Sequence, residues 1–239
     1  GSDQLDLTGT GLQYADLTIS GNIISDGNGN QITLTGFSGT LTASDFVFAP
    51  VVTNGTSGDD SLVGTSNADL MYGHGGNDTL SGLAGDDTIY GSTGNDVIEG
   101  GDGNDSIQGG AGNDVVEGDA GDDLITMVAE GADTIDGGDG YDIVDYGGST
   151  VGVLLNVGDQ TLNAGGATGD TLIGIEKYVG SNWNDTILGS SNSEYLGGRE
   201  GDDLLQGLDG NDTLFGAQGN DTLVGGNGDD RFYGEAGAD

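Results

Sequence analysis

Most of this chain returns to the same chemistry at every ninth residue. Written from its leading Gly, one unit reads Gly73-His-Gly-Gly76-Asn77-Asp78-Thr-Leu80-Ser, and the next Gly82-Leu-Ala-Gly85-Asp86-Asp87-Thr-Ile89-Tyr. Fuller copies are Gly100-Gly101-Asp-Gly103-Asn104-Asp105-Ser-Ile107-Gln and Gly109-Gly110-Ala-Gly112-Asn113-Asp114-Val-Val116-Glu. Seventeen copies fall into two blocks: ten from Gly55 to Asp145, with one extra residue near Met127, and seven from Gly180 to Asp239. Position six is Asp in sixteen copies and Glu194 in the other; position four is Gly in all but Asn67, Trp183 and Asn192. Position eight is apolar in all sixteen copies that reach it, from Leu62 and Met71 to Leu223 and Phe232. A unit this short cannot bury its apolar residue alone, so units must stack on one another.

Glycines at positions one, two and four let the backbone adopt φ > 0 and turn tightly. Positions seven to nine are extended, with position eight pointing one way and its neighbours the other. A turn followed by a three-residue strand reverses the chain, so two units close one coil of eighteen residues. Stacked coils then give two parallel sheets with the position-eight side chains between them. Leu62, Leu80 and Ile98 are expected to form one inner ladder, and Met71, Ile89 and Ile107 the other.

The turns stack as well, and here composition enters. The chain has 239 residues, 52 of them Gly, with 41 acidic residues against 3 basic ones and a formal net charge of −38. Such a balance ordinarily means disorder. Stacking places Asp60, Asp78 and Asp96 along one edge and Asp69, Asp87 and Asp105 along the other. In-register carboxylates at a strand spacing of roughly 4.8 Å repel one another, and a divalent cation between successive turns reverses the sign. The available ligands are all oxygens, which select Ca²⁺ over the more reluctantly dehydrated Mg²⁺. The candidate carboxylates are Asp60, Asp69, Asp78, Asp87, Asp96, Asp105, Asp114, Asp123, Asp133 and Asp142 in the first block. In the second they are Asp185, Asp203, Asp212, Asp221, Asp230 and Asp239. The candidate carbonyls belong to the position-four glycines Gly76, Gly85, Gly94, Gly103, Gly112, Gly121, Gly140, Gly201, Gly210, Gly219 and Gly228. One site between each turn and the next one above allows eight ions in the first block and five in the second. Asn67, Trp183 and Asn192 weaken a few of these, which leaves about 8–13 ions of the all-oxygen kind.

Other classes fall away. Phosphate binding needs a basic surface, so nucleic acid is not an expected partner. There is no Cys for a disulfide, and His74 alone cannot make a zinc site or a catalytic triad. No apolar run approaches the ~18 residues of a membrane span, so no membrane insertion is expected. His74 should face solvent from its turn, and Lys177, Arg199 and Arg231 should serve as local counter-charges. Tyr72 and Tyr90 sit one coil apart at position nine, outside the sheets. Position three carries no Thr ladder, which argues against an ice-binding face.

At these residues the sequence closely resembles the RTX (repeats-in-toxin) family, whose nonapeptide Gly-Gly-x-Gly-x-Asp-x-U-x, with U apolar, is a known calcium-binding repeat. The resemblance covers roughly residues 55–239. It implies an all-β fold, a calcium-stabilised parallel β-roll coiling as a right-handed solenoid. Calcium would be held by the position-six Asp and turn carbonyls of two stacked units. The resemblance further implies passage through the type I secretion machinery in an unfolded state, with folding outside the cell. Gly169-Asp170-Thr171-Leu172-Ile173-Gly174-Ile175-Glu176, followed by Gly180-Ser181-Asn182-Trp183, is similar to the segment that re-enters the repeats in RTX proteases and adhesins. An aromatic at position four is usual there.

The expected organisation is a β-rich lead-in over 1–53, a first roll block over 54–145, irregular rungs over 146–179 and a second block over 180–239. Strands are expected from Leu17 to Ile24 and from Gln31 to Phe37, with a plain turn over 26–30, and Leu41 to Phe48 is expected to form another strand or a short helical turn. In the insert, Val151 to Val157 and Thr171 to Ile175 should continue the sheets while Asn163 to Gly169 loops out. Gly1-Ser2 reads as an added leader and Asp239 stops inside a repeat, so neighbouring domains of a longer chain are expected. The preferred function is a calcium-binding module of a bacterial surface adhesin or surface-layer protein. The alternative is the non-catalytic C-terminal module of a secreted metalloprotease, lipase or polysaccharide epimerase. The chain carries neither His-Glu-x-x-His nor Gly-x-Ser-x-Gly, so no enzymatic activity is expected of it.

Overall fold

The computed structural model describes residues 50–128 and 131–239 and, before them, the backbone of five short strands. Two compact units divide the chain, Gly1–Val51 and Val52–Asp239. In the first, Leu5–Asp6 pairs in parallel with Phe46–Val47, and Thr18–Ser20, Ile23–Ser25 and Gln31–Thr33 form an antiparallel three-stranded sheet. The turn expected over 26–30 lies outside the described residues.

The second unit is a parallel β-solenoid of about ten coils. One long sheet has ten strands, with Val51–Asn54 at one edge and Arg231–Ala236 at the other. The opposite wall is split into two. A six-stranded sheet runs from Ser61–Val63 to Thr171–Ile173, and a five-stranded one runs from Ala164–Gly165 and Val153–Asn156 to Thr222–Asn227. Register follows the period of eighteen: Leu80 pairs with Leu62 and Ile98, and Ile89 with Met71 and Ile107. The ladders face inward and exclude solvent. Met71, Leu80, Ile89, Ile98, Val116, Ile125, Ile135, Val144, Ile187, Leu196, Leu205 and Leu214 are all 0% exposed.

Two details depart from the simplest reading of the repeat. Pairing is not confined to positions seven to nine. Thr88–Thr93 pairs with both neighbouring coils through position three of the following unit, because in-register turns stack their backbones too. Left-handed backbone occurs at positions two and four but not at position one. At position two it is adopted by His74 (φ 74°), Leu83 (φ 79°) and Ser92 (φ 83°) as well as by glycines. Position one needs Gly for space instead. A Cβ on Gly73 would lie 2.5 Å from Asp78 Oδ2 and 2.8 Å from the Gly91 carbonyl oxygen.

The insert continues the roll. Ile143–Asp145, Lys177–Val179 and Tyr195–Glu200 are successive neighbours, so the long sheet passes unbroken between the repeat blocks. The segment expected to loop out instead folds back. Ala164–Gly165 pairs antiparallel with Val153–Leu154, Ala167 is fully buried, and the buried Asn163 accepts from Asn156 N and donates to the Asp170 carbonyl. A 3-10 turn, Gln160–Leu162, precedes it.

Because each coil rests only on its neighbours, a core truncation should act locally but at full cost. Replacing buried Ile98 by Ala should destabilise the folded roll by about 2–5 kcal/mol. The same change at Val97, which is 41% exposed on the same strand, should cost much less. Denaturant melts of the two variants check this, and equal losses would contradict the inward ladder.

Candidate metal centre: the acidic ladders

The position-six carboxylates are drawn inward by the turn rather than left on the surface. Asp69, Asp78, Asp87, Asp96, Asp105, Asp114, Asp123, Asp133, Asp142, Asp185, Asp203, Asp212 and Asp221 are buried. Asp60 and Asp230 are half-buried and Asp239 is exposed. Each turn is tied to the next by one repeated bond. Asp78 N donates to Asp96 Oδ1 at 2.8 Å, Asp96 N to Asp114 Oδ1 at 2.9 Å, and Asp87 N to Asp105 Oδ1 at 2.7 Å. The second block repeats it from Asp185 through Asp203 and Asp221 to Asp239, and from Glu194 through Asp212 to Asp230.

The other carboxylate oxygen has no donor. Oδ2 of Asp78, Asp87, Asp96, Asp105, Asp114, Asp123, Asp142, Asp203, Asp212 and Asp221 is buried without a hydrogen-bond partner. Asp78 Oδ2 shares its space with another acceptor, the Gly91 carbonyl one coil up, across the bare Cα of Gly73. The same pairing recurs for Asp96 with Gly109 and for Asp105 with Gly118. A buried charged acceptor facing a second acceptor is strongly unfavourable, and a hard cation satisfies both. Sequence reasoning assigned the carbonyl role to position four, whereas the carbonyls lying beside the donor-less Oδ2 atoms are those of position one. The position-four carbonyls also converge up the stack. Those of Gly76, Gly85, Gly94, Gly103, Gly112, Gly121, Gly201, Gly210 and Gly219 crowd the position-four residue of the next coil. Among the described residues no three His, Cys, Asp or Glu side chains converge. The acids come one per turn, so backbone carbonyls must supply the rest of the roughly six to eight oxygens that Ca²⁺ takes.

Four turns close differently. Thr56 N and Oγ1 donate to Asp60 Oδ2 at 2.6 and 2.8 Å, and Thr65 N and Oγ1 to Asp69 Oδ2 at 2.5 and 3.0 Å. Ser181 N donates to Asp185 Oδ2 and its Oγ to Asp185 Oδ1, at 2.6 and 2.7 Å; Ser190 donates to Glu194. These are the first two turns of each block. They include all three copies without Gly at position four, so the sites that those substitutions weakened are the ones closed by hydroxyls.

The ladders also extend beyond the repeats. Asp133 N donates to Asp170 Oδ1 and Asp142 N to Glu176 Oε2, at 3.0 and 2.8 Å. The Asp170 Oδ2 is satisfied by the buried Tyr146 hydroxyl at 2.8 Å. Neither acid falls on the nonapeptide count, so only the coil stacking shows their equivalence. Elsewhere, Arg199 pairs with Asp145, whereas Lys177 lies 4.5 Å over the Tyr195 ring rather than on a carboxylate. His74 is exposed and stacks on Tyr72, which stacks on Tyr90 with centroids 5.1 Å apart.

Burial governs the protonation of the bare ladder. It pushes Asp87, Asp133 and Asp203 from 3.8 to about 7. It pushes Asp96, Asp123 and Asp142 to about 6. The backbone N–H from the coil below opposes the shift, and neighbouring ladder carboxylates add to it. The bare folded state therefore binds more protons than the unfolded chain. Its extra stability is complete below the unfolded value near 3.8 and is lost as pH rises through about 6 to 7. In EDTA, acidifying from about pH 7.5 to about pH 4.5 should therefore raise the β signal in circular dichroism of the monomer, a change that saturating calcium should abolish. A spectrum independent of pH in EDTA would contradict the buried ladder.

Known proteins place this geometry. A family model described as the RTX calcium-binding nonapeptide repeat matches residues 54–89, 90–125, 129–149, 173–205 and 206–239. No curated protein matches the chain. With stacked turns, inward apolar ladders and oxygen-lined acidic edges across most of its length, the chain belongs to the RTX family of calcium-binding nonapeptide-repeat proteins, as a calcium-binding β-roll module of a type I-secreted protein.

Proposed function

We propose that the module is a calcium-triggered folding unit, disordered where calcium is scarce and a stiff rod outside the cell. We further infer a parent that is a bacterial surface adhesin or surface-layer protein, in which the rod carries or spaces neighbouring domains and is itself non-catalytic. The observation that carries the folding switch is the row of buried Oδ2 atoms with no donor. Once its carboxylates are ionised, a ladder of this kind is tolerable only when a cation occupies the space between turns, so binding free energy becomes folding free energy. Extracellular modules bind calcium at about 10⁻⁴–10⁻³ M, well above cytosolic levels, which suits a chain exported unfolded. The absence of Cys suits it too, since folding then needs no oxidant. The ions lie between stacked position-six acids, fewer than the ceiling of eight in the first block and five in the second because hydroxyls close the first two turns of each block.

Far-UV circular dichroism is the direct test. In EDTA near neutral pH the chain should be disordered, and millimolar Ca²⁺ should induce β structure cooperatively. Replacing Asp96 and Asp114, successive members of one edge, by Ala should lower the calcium stoichiometry and shift the transition to higher calcium. A folded state in EDTA at neutral pH, or an unchanged titration of the variant, would sink the proposal.

A further inference from the structure

The junction between the repeat blocks carries a clipped copy of the calcium turn. Gly137 N donates to the Ile173 carbonyl as Gly55 N does to the Tyr72 carbonyl. That makes Ile173 the equivalent of position nine and Gly174 the equivalent of position one by hydrogen bonding, although Gly174, at φ 62°, takes the left-handed backbone that position one avoids in the nonapeptides. Lys177 N donates to the Asp142 carbonyl as Thr79 N does to the Asp60 carbonyl. Lys177 is therefore position seven, and Glu176 stands at position six. A regular unit has four residues between positions one and six, and here Ile175 alone separates them. Glu has one more methylene than Asp, which supplies reach on a shortened corner. Its carboxylate makes the ladder bond, accepting from Asp142 N at 2.8 Å.

The oxygens around it match those of the repeat. Asp142 is 0% exposed and its Oδ2 has no hydrogen-bond partner. A Cβ on Gly137 would meet both that oxygen and the Gly174 carbonyl, just as one on Gly73 would meet Asp78 Oδ2 and the Gly91 carbonyl. The opposite edge lacks this demand at the same level, because the Tyr146 hydroxyl satisfies Asp170 Oδ2. Glu176 also touches the second block, its carbonyl accepting from Tyr195 N at 2.9 Å.

We propose that Asp142, the Gly174 carbonyl and Glu176 form a further calcium site at the junction, outside every pair of nonapeptides. The site makes the insert a calcium-dependent splice that joins the acidic edge of the first block to that of the second. It rests on the reading that the ladders carry calcium, and the test separates the two. Native mass spectrometry at saturating calcium counts the ions on the full chain and on two variants, Glu176→Gln and Asp96→Asn. Glu176→Gln, which keeps an acceptor for Asp142 N, should carry one ion fewer than the unsubstituted chain with its β signal intact. An unchanged count in Glu176→Gln beside a reduced count in Asp96→Asn overturns the junction site alone, whereas unchanged counts in both overturn the ladder reading. If Glu176→Gln loses more than one ion, Glu176→Asp decides, since it keeps the charge and gives up the reach. A roughly tenfold higher calcium requirement for the last ion supports the site, and an unshifted titration overturns it.

Discussion

A buried carboxylate oxygen facing a carbonyl oxygen, with no hydrogen between them, is the contact on which this structure turns. It recurs along both edges of the roll because the same residue stands at position six of each stacked turn. Each instance leaves a charged acceptor out of water with another acceptor for company. Hydrophobic ladders of single Leu, Ile and Val residues, one per turn, are thin compensation for that. A divalent cation converts each instance from repulsion to coordination. Ten such ions, one for each Oδ2 without a donor, would bring the formal charge from −38 to about −18. On the proposed function, the solenoid and its ions are one thermodynamic object.

The exceptions follow the same logic. Where a block begins, the carboxylates of Asp60, Asp69, Asp185 and Glu194 take donors from a Thr or Ser at position two. Those turns give up the left-handed backbone that position two adopts in the other nine-residue units, since the hydroxyl and N–H must both turn toward the acid. At the far end of the first block, Tyr146 does the same for Asp170 from inside the core. Hydroxyl donors and cations are alternative solutions to one electrostatic problem, and the fold uses both.

Much of this was legible beforehand because a nonapeptide leaves little freedom. The apolar residue at position eight must be buried, and eighteen residues per coil puts Leu62 under Leu80 and Asp60 under Asp78. The roles of position one were less legible. Gly serves there for close approach, not for positive φ, and its carbonyl faces the carboxylate of the coil below. Sequence alone does not distinguish those uses. Asp170 and Glu176 were illegible for a different reason. Their spacing breaks the period, and only the hydrogen bonds from Asp133 and Asp142 reveal that they continue the ladders.

By itself, then, the sequence determined the coil, the identity of the core and the ion. Period and composition suffice for these: a fixed repeat sets register, and a donor set made only of oxygens sets the metal's character. The tertiary structure decided which carboxylates are left without a donor, which are closed by a hydroxyl, and how the long sheet crosses the insert. Those outcomes depend on where a side chain from another coil arrives, and residues such as Tyr146 and Glu176 arrive from outside the repeat.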